Sequence, residues 1–321
     1  MAKLYIGNNS HKIYLGNEKI KKEYIGTERV YSSGNICVYY VNTSNTYQEE
    51  IDDGVSVLSP KSFTPVLSGW TFVGWRTDKI ASGSVLSSLT MGDNPITLYA
   101  VFKQAVTLTK IINKSTTTTT GYRYYNNGNV ANATFSISKP SLSGATFLGW
   151  STSTSASVAY GPNTTNITLS SNATIRSIFK YNDVTQNVAA AYSAGDWVGP
   201  GTTITNGTQL SIDCSKYSGI KSTNCKARMK VNWDTRAVGW QAACGGNSVT
   251  LMSWWHSDYN DLGADSGIKD TPYTINFSQT SGTTSLVFSH IKNPHVDNYS
   301  STGESNVYAH TVTLTGRTTV G

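Results

Sequence analysis

Along the first 32 residues, apolar and polar positions alternate in short bursts: Lys3-Leu4-Tyr5-Ile6-Gly7, Lys12-Ile13-Tyr14-Leu15-Gly16, Lys22-Glu23-Tyr24-Ile25-Gly26 and then Glu28-Arg29-Val30-Tyr31-Ser32. A period of two over so few residues predicts short strands, and Gly followed by a polar residue suits tight turns. Strands of this length bury too little to stand alone. Residues 1–35 therefore read in two ways. They form a docking arm that pairs with a neighbouring subunit or another protein, with Tyr5, Tyr14 and Tyr24 as its contacts, or they form a meander folded back on its own chain. Beyond Ser33-Gly34-Asn35, Ile36, Val38 and Tyr40 alternate with Cys37, Tyr39 and Val41, which predicts a strand covered on both faces. Thr46 to Ile51 and Ile96 to Phe102 predict further strands, and Asp52-Asp53-Gly54 a turn.

The strongest pattern is a duplication. Pro65-Val66-Leu67-Ser68-Gly69-Trp70-Thr71-Phe72-Val73-Gly74-Trp75 returns as Pro140-Ser141-Leu142-Ser143-Gly144-Ala145-Thr146-Phe147-Leu148-Gly149-Trp150, offset by 75 residues with eight of eleven positions identical. Strict alternation puts Trp70 and Phe72 on one face of the strand and Val73 and Trp75 on the other, while Gly74 permits close approach of a neighbour. Each copy leads to a second strand-like run, Ile96 to Lys103 and Ala173 to Lys180. Between them, Tyr122-Arg123-Tyr124-Tyr125, a turn at Asn126 to Asn129 and Thr134 to Ile137 predict a hairpin.

The pattern yields two repeat units, 36–104 and 105–182, and a third region, 183–321. In the last, Gln209–Ile212, Ala227–Trp233, Ser248–Met252, Tyr273–Phe277, Ser285–Phe288 and Tyr308–Leu314 predict strands separated by Gly, Asn and Ser loops. Six or more such strands predict a jelly-roll-like β-sandwich. The expected class is all-β and multidomain.

Composition supports this and narrows the chemistry. Charged residues make up 14% of the chain against 19 Tyr, so the sequence is too rich in aromatic and β-branched residues to be disordered. The net charge of +6 divides as +3, +4 and −1 over residues 1–35, 36–182 and 183–321, with no dense Lys/Arg block, which argues against nucleic acid as a partner. No run of 18 apolar residues and no apolar leader occurs, so membrane insertion is not expected and the chain is read as made in the cytoplasm. Cys37, Cys214, Cys225 and Cys244 lack zinc-site spacing and predict free, buried thiols.

The run from Cys37-Val38-Tyr39-Tyr40-Val41 through Phe72-Val73-Gly74-Trp75 to Leu98-Tyr99-Ala100-Val101-Phe102 resembles the Listeria-Bacteroides repeat, the B-repeat of internalin-type surface proteins. Residues 105–182 resemble a degenerate copy, with Ile175-Arg176-Ser177 in place of Leu98-Tyr99-Ala100. The resemblance implies a small β-grasp-like module of the kind strung along bacterial surface proteins and phage tail or fibre proteins. The N-terminal units are similar to those that begin tail-associated and receptor-binding proteins of phages. Together these imply a virion protein of a bacteriophage, on tail, baseplate or capsid, partnered by other virion proteins and by a host surface glycan or protein. Fibres of this type are commonly symmetric homo-oligomers, trimers among them. Two other readings stay open, a bacterial surface adhesin and a glycan depolymerase of a tail spike.

Catalytic motifs are thin. There is no Gly-x-Ser-x-Gly elbow, no His-Glu-x-x-His and no phosphate-cradling loop, and Glu is absent between residues 54 and 303, so no enzyme activity and no cofactor are expected. The densest cluster is Trp254-Trp255-His256-Ser257-Asp258-Tyr259. Rings that stack on C–H faces beside groups that read hydroxyls are what a sugar site requires, which makes Trp254, Trp255, His256, Asp258 and Tyr259 the candidate glycan residues. Equally, tryptophans of a sandwich are often core. Asp258-x-Asn260 begins like a calcium loop, but its fifth position is Leu262 and its twelfth Lys269, too few oxygens for a hard cation, so no metal is expected.

Overall fold

The structure, a computed structural model, describes residues 4–6, 13–15, 18–20, 22–25, 28–32, 34–188, 191–193, 203–204, 210–231, 237–255, 266–292, 302–307 and 310–321. Side chains are placed in 34–188, 210–228, 239–253, 266–289 and 311–321. Among the described residues there are strands, turns and loops but no α-helix, so the all-β, multi-sheet architecture expected from the sequence is the one observed. The chain forms two compact units. One comprises Met1–Ile111, Ser115–Ser138 and Asn163–Ile175, the other Ile112–Lys114, Lys139–Pro162 and Arg176–Gly321.

In the first unit, strands β1 (Leu4–Ile6), β2 (Ile13–Leu15) and β3 (Glu18–Ile20) form an antiparallel sheet, and β4 (Lys22–Ile25) and β5 (Glu28–Ser32) a hairpin. The short N-terminal strands thus pair with one another, as a meander does. Then follow β6 (Asn35–Tyr40), β7 (Thr46–Ile51), β8 (Thr71–Arg76), β9 (Ile96–Ile112) and β10 (Ser115–Asn126). β6 pairs antiparallel with β7 and parallel with β9, and β8 pairs antiparallel with β9. The order β7-β6-β9-β8, with a parallel pair at its centre, is that of a β-grasp whose crossover, residues 52–70, is loop. β9 runs without a break through residue 104, where the first repeat was expected to end.

Cys37, Tyr39 and Val41 from β6 and its end meet Leu98, Ala100 and Phe102 from β9 in the first core. The opposite face of β6 is not covered as alternation of two apolar sets predicts: Ile36 is 47% exposed and Val38 and Tyr40 are half-buried. The asymmetry follows from the crossovers, which seal only one side of the sheet.

The duplicated motif departs from alternation in the same way twice. Phe72 lies opposite Phe102, but Gly74, not Val73, lies opposite Val101. In the second copy, β11 (Asn129–Ala131) and β12 (Ala133–Ser136) lead to β13 (Ala145–Ser151), and β14 (Asn166–Leu169) to β15 (Ala173–Tyr181). Phe147 there lies opposite Phe179, and Gly149 opposite Ile178. Val73 and Leu148 are the unpaired residues of β-bulges. The bulge corrects the expected facing: Phe72 and Trp75, three residues apart, share one core with ring centroids 5.2 Å apart, and Phe147 and Trp150 do the same at 5.5 Å. Gly74 and Gly149 hold φ of +155° and +143°, which L-residues rarely adopt. A Cβ on Gly74 would stand 2.9 Å from the Val85 Cβ, and one on Gly149 2.5 Å from the Tyr160 carbonyl oxygen. The strand is entered by the same turn in both copies. Gly69 (φ +77°) and Gly144 (φ +70°) take its third position, and Trp70 and Ala145 donate their N–H to the carbonyls of Leu67 and Leu142.

The expected hairpin after Tyr122–Tyr125 is present, but its return strand differs. A two-residue turn, Asn127-Gly128, hands the chain to β11, whereas β12, which holds Thr134 to Ser136, pairs with β14.

In the second unit, β16 (Val184–Val188), β17 (Ala191–Ser193), β18 (Thr203–Ile204), β19 (Ser211–Asp213), β20 (Tyr217–Ser222), β21 (Lys226–Val231), β22 (Ala237–Cys244), β23 (Asn247–Trp255), β24 (Lys269–Asp270), β25 (Tyr273–Asn276), β26 (Thr283–Ser285), β27 (Val287–Lys292), β28 (Thr302–Val307) and β29 (His310–Gly316) build sheets ordered β16-β29-β20-β25, β17-β28-β21-β24 and β18-β27-β22-β23, with the pair β19-β26. Their inward residues enclose one core around Trp240, Ile220, Ile275, Phe288 and Val312. All four cysteines are free and buried, as predicted. The last strand, β30 (Thr318–Val320), leaves this domain and pairs with β15, Val320 opposite Ile178. Its approach is fixed by Arg317, whose guanidinium donates to the carbonyls of Cys214, Tyr217 and Gln279 at 2.8–3.3 Å.

The bulges give a direct test. Gly149→Ala, which meets backbone, is expected to cost about 3 kcal/mol of stability, with Gly74→Ala next and Val73→Leu within about 0.5 kcal/mol of the parent. Equilibrium denaturant unfolding measures all three.

Candidate functional site

The sequence singled out Trp254 and Trp255. Their backbone closes β23, opposite Val238 and Ala237 of β22, while their side chains and all of His256, Asp258 and Tyr259 lie outside the described residues. Tyr5 and Tyr14 are direct cross-strand partners on β1 and β2, and Tyr24 lies on β4 opposite Arg29. Their side chains also lie outside the described residues.

At the other end of the same hairpin is a site that motif reading missed. β22 and β23 are joined by Gly245-Gly246, with φ of +58° and +83°, and beside this turn lies a shallow depression of about 350 Å³. Gln241, Asn247, Ser248, Thr284 and Ser285 line it with amide and hydroxyl groups and no charged side chain. These groups are held by one another and by the backbone. Gln241 donates from Nε2 to Ser248 Oγ at 2.8 Å, Asn247 from Nδ2 to the Asn276 carbonyl at 2.6 Å, and the Gly245 N–H to Thr284 Oγ1 at 3.0 Å. Fixed amides and hydroxyls suit a neutral, hydroxyl-rich ligand read by hydrogen bonds. The depression lies roughly 27 Å along β23 from Trp255, so the two ends of the hairpin do not form one site. Cys244 also lines it, but burial pushes its thiol up to about 11, which leaves it protonated and a poor nucleophile at neutral pH. Only the run of small polar residues around Gly245-Gly246 could have signalled this depression, and such runs read as ordinary turns.

The first unit carries cation–aromatic contacts. Trp70, the ring that the second copy replaces with Ala145, lies 5.9 Å from the Tyr125 ring, and the Arg123 guanidinium carbon stands 5.0 Å from its centroid. Trp70 therefore covers the core edge beneath β10. On the open face, Tyr40 and Tyr99 stack with centroids 5.2 Å apart, and Lys79 Nζ lies 5.4 Å from the Tyr99 ring. Lys79 sits in a loop fixed by Arg76 and Asp78, which meet at 2.6 and 2.7 Å through Nε–Oδ1 and Nη2–Oδ2. Arg76 also donates to Ser82 Oγ and the Ser84 carbonyl. The Arg76 hydrogen bonds, then the Ile80 N–H, hold the Asp78 carboxyl down at about 2. Among the described residues, no group of three or more His, Cys, Asp or Glu is placed to hold a metal ion.

Residues 37–101 and 109–176 match the model of the Listeria-Bacteroides repeat domain, the first match ending and the second beginning on β9. No curated protein matches the sequence. Among solved structures, the chain is similar to those of infectious bursal disease virus, the Gx strain at 9% identity over 69% of this chain and 75% of that one, and the Gt strain at 8% identity over 69% and 76%. Their TM-scores of 0.25 and 0.23 are below those of a shared fold, and neither bears on function.

Trp70→Ala is expected to lower stability by about 2 kcal/mol, through lost packing on Tyr125 and Arg123, as measured by urea unfolding. Asp78 carries a depressed folded-state pKa, so its ion pair contributes above the unfolded value near ~4 and is lost as pH falls through about 2. The gap in thermal midpoint between the parent and Asp78→Asn should be constant above pH ~5 and close between ~4 and ~2. The carboxylate is half exposed, which keeps that gap small.

Proposed function

We propose, on the premise that the chain carries two Listeria-Bacteroides repeats in residues 37–101 and 109–176, that it is a non-enzymatic virion protein of a bacteriophage. Its N-terminal strands dock on other virion proteins, the repeats act as scaffold and spacer, and the C-terminal β-domain is displayed for attachment to a host-surface glycan. One observation carries this reading. The residues shared by the two copies of the motif serve turn, bulge and core in both, which gives the repeats a structural task and leaves recognition to the region after residue 182. The neutral amide and hydroxyl groups beside Gly245-Gly246 and the tryptophans at the far end of β23 are the groups offered to a sugar.

Particles lacking the protein test the proposal. Loss of adsorption to host cells, with particles otherwise assembled and adsorption restored by added protein, is the expected result. Intact particles with unchanged adsorption would overturn attachment. If the purified chain shortened host polysaccharide and Asp258→Asn abolished this, the depolymerase reading would replace it.

A further inference from the structure

Ser115–Thr120, the first half of β10, is exposed at every residue. The turn before it, Asn113-Lys114, has φ of +46° and +69°, the signature of a two-residue hairpin turn. In such a hairpin the N–H and C=O groups of alternate residues face the partner strand. Ser115, Thr117 and Thr119 thus face β9, and Thr116, Thr118 and Thr120 face away. Among the described residues, β11 pairs with that outer edge only from Tyr124 onward, and the one strand hydrogen-bonded to Ser115–Thr120 is β9, on the inner edge. Free edges are ordinarily blunted by a charge, a proline or a bulge, and this segment has none.

We propose that this edge joins two copies of the chain, β10 to β10, antiparallel about a two-fold axis through Thr118. Five consecutive threonines read the same in either direction, so the axis sets Thr opposite Thr along the whole tract, a favourable cross-strand pair. The backbone agrees. The outward residues meet only one another, Thr118 with the second copy's Thr118 and Thr116 with its Thr120, in about six hydrogen bonds. A shift of one residue would set outward groups against inward ones. The register also brings Lys114 opposite the second copy's Tyr122. That ring is 44% exposed and has Lys103 Nζ 4.8 Å from its centroid, so the pairing supplies a second cation to a ring left open to water. A six-residue contact is smaller than a standard interface, so association depends on concentration.

Single-cysteine cross-linking of the full chain tests the register, with no competition from the four buried native thiols. Under mild oxidation Thr118→Cys is expected to give a disulfide-linked dimer, because bonded pairs stand about 5.5 Å apart at Cα, within disulfide range. Thr116→Cys and Thr120→Cys alone should each give at least about fivefold less, and their mixture should restore the yield. Thr118→Pro removes an outward N–H and leaves the β9 side intact. It should abolish the concentration-dependent dimer in sedimentation while the melting midpoint stays at the parent value. Equal cross-linking at all three positions, or a parent chain that stays monomeric at the highest concentration with no Thr118→Cys dimer, would overturn the proposal.

Discussion

In each repeat one residue without a cross-strand partner, Val73 in the first and Leu148 in the second, turns the side chains that follow it by half a period. Without that extra residue, Phe and Trp three positions apart would project from opposite faces and neither core would close. With it, Phe72 meets Trp75 and Phe102 edge to face, and Phe147 meets Trp150 edge to face and Phe179 at a tilt. Glycine after the bulge is required twice over, by its φ and by the chain segment that returns within contact of it. The Trp carbonyl then receives that returning chain, from the Leu86 N–H in one copy and the Tyr160 N–H in the other. Turn, bulge and return thus form one cooperative device, which explains why the eleven-residue motif survives duplication when its surroundings do not.

Much of this was legible in the sequence. The duplication, the β class, the short N-terminal strands and about half of the C-terminal domain's strands follow from period-two patterning and turn residues. The facing of Phe72 and Trp75 did not, because a bulge breaks the period on which facing is read. The strand most central to the C-terminal domain was also missed: β22, Ala-Val-Gly-Trp-Gln-Ala-Ala-Cys, has few β-branched residues. Yet it pairs on both sides and buries Trp240 completely. Its small residues fit a crowded interior, a tertiary reason that local propensity does not register.

The candidate site divides along the same line. Aromatic clusters are visible as letters, so Trp254 and Trp255 stand out, whereas a depression lined by Gln, Asn, Ser and Thr comes only from the tertiary meeting of the β22-β23 turn with β26. Trp70 shows the converse. It stands out in the sequence as the ring that the second copy lacks, yet its neighbours lie within the first unit, Tyr125 and Arg123.

Within the second compact unit, the chain enters and leaves the C-terminal domain through adjacent strands. Asn182 and Asp183 lead out of β15 into β16, and β29 runs back beside β16 to Arg317 and β30, which rejoins β15. Gly316 fits this crossing because a side chain there would overlap the Tyr181 carbonyl, and its N–H is taken by Asp183 Oδ1 at 2.8 Å. A domain whose entrance and exit are neighbours is topologically a loop of its host. Residues 184–316 form a cassette: another β-domain with adjacent termini could take its place between the same two strands, leaving the fold that carries it unchanged.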